Sequence, residues 1–135
     1  MLFRSILFQH WPPHYPEIPT AVGFCMLITK KEKSKVGYFN EVQFGHGYGE
    51  ENDYSLRVGK VGLKNILCDN AYVAHIGNES FADLGLKPSR QTMNKLLEIH
   101  PNYINKIENF IDQDPLSDIR IKIKDLLKKH DISLT

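Results

Sequence analysis

The apolar positions of this chain change their spacing along its length, and each spacing predicts a different kind of element. Residues 21–29, AVGFCMLIT, are a continuous apolar run followed by charged residues, the pattern of a strand buried on both faces. The next stretch, KKEKSKVGYF, predicts a short polar helical turn ending near Gly37, with Tyr38 and Phe39 returning to the core. From Glu50 the period becomes helical. At about 100° per residue, Tyr54, Val58 and Val61 share one stripe, Glu50 and Glu51 border it at the first turn, and Asp53 and Arg57 pair on the outer flank.

Gly62 is placed to end that helix, after which NILCDNAYVAHI predicts two short strands, or one broken at Asp69 and Asn70. From Pro88 onward the spacing is helical again, through Met93, Leu96 and Leu97, then Tyr103, Ile104, Ile107, Phe110 and Ile111, then Leu116, Ile119, Ile123, Leu126 and Leu127. Pro101 and Pro115 stand where first-turn prolines belong, so the tail predicts two or three packed helices. In that reading His100 and Tyr103 are structural. Residues 10–20 hold four of the seven prolines and predict an ordered loop or linker. The expected units are a proline-rich lead-in (1–20), a central unit (21–82) and a helical tail (83–135).

Composition narrows the function classes. With 135 residues, 41% hydrophobic and 24% charged, the chain suits one soluble domain, and its net charge of +1 gives no overall field toward nucleic acid or membrane. No run is long enough for a membrane span, and the apolar opening MLFRSILF is cut off at Gln9 before a signal-peptide core develops. Cys25 and Cys68 fall in apolar runs rather than at ligand spacing, and are expected as reduced core residues of a cytoplasmic protein.

The candidate chemistry lies in GHGYGEENDYSLR, residues 45–57, and in His75. Glycines let backbone approach a ligand, and adjacent carboxylates at a helix start suit proton abstraction or cation binding. Each part also has a plainer explanation. Acids favour the first turn through the helix dipole, a lone histidine at a strand end is commonly structural, and the glycines could be simple turns. A metal hydrolase built on His10, His14, His46 and His75 is a poor fit, since these histidines lack ligand spacing.

The order of buried strand, GHGYG loop, EENDYSLR helix, strand and AYVAHIGNESF resembles the C-terminal, acceptor-side half of the inverting family 2 glycosyltransferases, across roughly residues 16–81. Residues Val36 to Phe39, with Asn40 and Glu41, resemble that family's VGGFDE turn. The tail resembles, more weakly, helical segments that follow such domains in bacterial surface-polysaccharide enzymes. The resemblance implies an α/β fold, a partial GT-A domain of a few mixed strands with a central helix. It also implies transfer of a sugar from a nucleotide-sugar donor to a glycan or lipid-linked acceptor.

By the same resemblance, Glu51 is the general base, with glutamate where the family usually has aspartate, and Asp53 is the runner-up base. Glu50, Gly47, Tyr48 and Gly49 would contact acceptor or donor. His75 would help bind a divalent cation, Mn²⁺ or Mg²⁺. No nucleotide-binding half is matched, so the expectation is a fragment, a truncated reading frame or one piece of a split enzyme whose N-terminal half is a separate chain, inactive alone and with an exposed face inviting self-association. The alternative is a carbohydrate- or protein-binding remnant without turnover. The expected location is the cytoplasm, or the inner face of its membrane.

Overall fold

The computed structural model describes residues 12–45, 48–75 and 90–130. Its elements are a 3₁₀ turn, Gly23–Cys25, and helices α1 (Lys30–Val36), α2 (Glu41–Phe44), α3 (Glu50–Lys60), α4 (Arg90–Ile99), α5 (Tyr103–Gln113) and α6 (Ser117–Lys129). Among the described residues there is no strand, so the expected α/β fold with a mixed GT-A sheet is overturned. Among the described residues an isolated antiparallel bridge joins Glu17 and Ile66. Two backbone bonds flank it, Ile18 N–H to Asn65 O at 3.0 Å and Leu67 N–H to Pro16 O at 2.9 Å.

The apolar run misled for a physical reason. A continuous apolar segment carries no face information, and it is a buried strand only if layers cover both sides. Here Val22, Phe24 and Leu27 are 61%, 53% and 94% exposed, and the backbone turns at Gly23–Cys25. Cys25 and Cys68 are free and exposed, which corrects their expected burial. Tyr38 is also largely exposed, whereas the Phe39 ring lies 4.9 Å from that of Tyr54.

Local signals account for the helices well. Thr29 and Glu32 form a reciprocal capping box at the start of α1: the Thr29 hydroxyl accepts from Glu32 N–H at 3.1 Å, and the Glu32 carboxylate accepts from Thr29 N–H at 3.3 Å. Gly37, at φ +87°, ends it. Helix α2 was not anticipated; Asn40 caps it, accepting from Gln43 N–H at 3.3 Å. Helix α3 begins and ends as its pattern predicts, with Tyr54 and Val58 buried, although Val61 is 40% exposed. Among the described residues the tail forms three helices. Pro101 and Pro115 each stand one residue before the N-cap, Asn102 and Leu116, rather than inside the first turn.

Phe44, Leu56 and Leu96 make the buried apolar cluster, with Ile99 and Tyr103 packed against it. The core therefore sits where α2, α3, α4 and the start of α5 meet. Polar ties hold the lead-in to the same body. The buried Asp69 carboxylate accepts from His14 N–H at 3.0 Å and Tyr15 N–H at 3.3 Å. The Ser55 hydroxyl accepts from Ala21 N–H at 3.0 Å, and the Asn65 amide donates to the carbonyls of Ser55 and Pro19.

Candidate functional site

The first turn of α3 begins on a backbone that demands glycine. Gly49 has φ +112°, and a Cβ there would sit 3.0 Å from the Phe44 ring. Tyr48 precedes it at φ +72°, half-buried. This turn fixes where the two glutamates project. The Glu51 carboxylate folds back to accept from Gly49 N–H at 3.1 Å, which satisfies a donor that the helix itself leaves open. Gly47 lies outside the described residues.

Around that carboxylate the chain brings together groups far apart in sequence. The 3₁₀ turn passes directly over it: a Cβ on Gly23 would meet the Glu51 Cβ at 3.6 Å. The next residue, Phe24, stacks face to face on the His75 ring, centroids 4.1 Å apart and planes 4° from parallel. On the α5 side, burial pushes the Tyr103 hydroxyl above its ordinary pKa, and the negative charge of Glu51 adds to the shift. Glu51 thus lies beside Gly23, the chain neighbour of the stacked Phe24, and near enough to Tyr103 for its charge to be felt there.

Glu50 differs from its neighbour. Burial raises its pKa, its own backbone N–H partly opposes this, and the charge and hydrogen bonding of Glu51 raise it further. Its Oε2 is buried with no hydrogen-bond partner among the described residues. A raised folded-state pKa favours the neutral acid in the native protein. The ionisation penalty therefore sets in as the pH rises past the ordinary value of 4.5 and is complete above the folded value. Glu50→Gln is accordingly expected to raise stability at pH 7.5 by up to about 1 kcal/mol, allowing for solvent screening at this part-exposed site, and to add nothing at pH 4. Urea unfolding at both pH values checks this, and an equal gain at both would contradict it.

Asp53 is in a different situation from the one its sequence position suggests. It is 1% exposed instead of lying on an outer flank. One oxygen accepts from Arg57 Nε at 2.8 Å and the other from His100 Nε2 at 2.8 Å. Arg57 also donates to the carbonyls of Val36 and Tyr38 at 2.7 and 2.8 Å, tying the end of α1 to α3. Buried and bonded through both oxygens, Asp53 ties α3 to the end of α4.

The exposed His75 ring stacks on Phe24, and among the described residues no group of three or more His, Cys, Asp or Glu side chains converges around it. Sequence reasoning passed over Gly23 and Phe24 and took Tyr103 as purely structural. The isolated glycine inside an apolar run was the available signal, since it marks a bend or a close approach. No family model, curated protein or solved structure matches this chain. Among the described residues no helix is long and apolar enough to cross a membrane.

Proposed function

We propose that this chain supplies the base and the acceptor side of an inverting glycosyl transfer from a nucleotide-sugar donor to a glycan or lipid-linked acceptor. The observation that carries the reading is the setting of Glu51: a carboxylate fixed by Gly49 N–H, beside Gly23, the chain neighbour of the stacked Phe24, and near enough to Tyr103 for its charge to be felt there. A hydroxyl is a poor nucleophile until its proton is taken during attack, and a positioned carboxylate does this. Glu50, on the same first turn and with one buried carboxylate oxygen that has no hydrogen-bond partner among the described residues, is suited to contact the acceptor. The stacked pair offers a flat apolar face to a sugar ring.

In this reading a nucleotide-binding partner docks against the chain and supplies the ligands for Mn²⁺ or Mg²⁺ at the leaving diphosphate, with His75 at most one of them. The exposed Val22, Phe24, Leu27, Tyr72 and Val73 side chains favour such a partner, or a second copy of the chain. The test is acceptor-dependent release of nucleotide diphosphate from a panel of nucleotide sugars by the complete enzyme. Release that ignores the acceptor would contradict the proposal. The exposed Phe24–His75 stack also favours a second reading, a sugar-binding module without turnover, in which glycans bind and no nucleotide is released.

A further inference from the structure

The buried pair that ties α3 to α4 leaves one group uncommitted. His100 is 5% exposed and gives Nε2 to one Asp53 oxygen at 2.8 Å, while Arg57 Nε holds the other. An imidazole bonded to a carboxylate carries its proton on the bonded nitrogen, so the lone pair of this ring stands on Nδ1. Nδ1 has no hydrogen-bond partner among the described residues, yet, unlike Glu50 Oε2 and the Tyr54 hydroxyl, it is not sealed from solvent. A buried ring thus keeps an unused acceptor.

His100 borders a hollow of about 140 Å³ that α3 and the start of α5 also line. The space holds about ten water-sized groups, the bulk of one sugar ring. Leu56 and Tyr103 give it apolar surface, Asn102 brings an amide that caps no helix N–H, and Lys60 and Lys106 bring donors. Ammonium groups serve any oxygen, so they do not single out the occupant. The histidine does: a lone pair on a neutral ring needs a donor, which a hydroxyl-rich ligand supplies and a fully ionised phosphate ester lacks.

We infer that this hollow binds a neutral sugar unit, one of whose hydroxyls donates to His100 Nδ1. The apolar part of the lining meets the C–H face of the ring, and Asn102 and the lysines meet its remaining oxygens. His100 touches the ligand, and Asp53 acts through it as a positioning residue that fixes the tautomer. Binding here does not depend on Glu51 or on transfer. Where the transfer reading holds, the hollow is a place for a non-reacting unit of the acceptor glycan, and that assignment alone rests on it.

The test follows histidine-ring nitrogen and backbone amide resonances of the full chain during titration with glucose, galactose, mannose and N-acetylglucosamine, with inorganic phosphate as the anionic control. Free His100 should show the Nε2–H tautomer. At least one sugar should then shift its Nδ1 resonance saturably, together with the Asn102 and Tyr103 amides. His100→Gln keeps a donor for Asp53 and deletes the acceptor, so it should weaken binding about tenfold. Asn102→Ala, at an exposed position, should weaken it about threefold with the folded spectrum intact. An Nδ1–H tautomer, no saturable shift with any of these sugars, saturation by phosphate alone, or sugar shifts confined to Glu51 and His75 overturns the site. Binding undiminished in both variants does so too. None of these results touches acceptor-dependent release of nucleotide, which remains the assay of the transfer reading.

Discussion

Asp53→Ala is expected to destabilise the chain by about 3–5 kcal/mol, enough to abolish cooperative unfolding if the native state is only marginally stable. The reason is that one buried carboxylate satisfies two donors from distant parts of the chain, Arg57 on its own helix and His100 at the end of α4. Removing it leaves the Arg57 guanidinium and the buried His100 imidazole without their shared acceptor. Arg57 would keep its bonds to the Val36 and Tyr38 carbonyls, so the end of α1 should stay attached while α4 loosens. Asp53→Asn keeps the volume but turns an amide NH₂ toward a donor, so an intermediate loss is expected. Urea denaturation of the three proteins measures this. A loss under about 1 kcal/mol for the alanine variant would show that the pair network contributes little.

The second large effect is on chemistry rather than folding. Glu51→Gln should lower the transfer rate about 10²- to 10⁴-fold, the range for removing a general base, with little change in stability. The amide oxygen can still accept from Gly49 N–H, so the turn entering α3 is preserved and the loss is specific to proton transfer. Glu51→Asp shortens the reach by one methylene beside Gly23, where an added Cβ would lie 3.6 Å from the Glu51 Cβ. It should retain part of the activity, between wild type and the glutamine variant. Glu50→Gln keeps the side chain's volume and a hydrogen-bonding group and removes no general base, so it should cost far less than Glu51→Gln.

What could be read from the sequence was what local chemistry dictates. The α3 pattern, the chain break at Gly37, the turn at Gly62 and the helical tail follow from residues within a turn or two of each other. The strands expected at 21–29 and from residue 65 are absent from the described residues because pairing is a property of neighbours, and an apolar run cannot say whether neighbours exist. His75 and Glu51 were chosen from the sequence, and the structure connects them only through Gly23 and Phe24, about thirty residues before α3. The Asp53–His100 bond joins residues 47 apart, with no local signal of any kind. Asp53 and Arg57 at four-residue spacing looked like a solvent pair because periodicity ranks faces by apolar content, and here a charged face is buried against α4.

The central claim is that Glu51 takes the acceptor proton in a site beside Gly23 and near Tyr103. Its most direct test is a single-turnover measurement on the complete enzyme, wild type beside Glu51→Gln, with acceptor affinity determined in the same samples. The account predicts unchanged acceptor binding and a transfer rate lower by at least about 100-fold in the variant. Equal transfer rates, or a loss explained entirely by weaker acceptor binding, would contradict it.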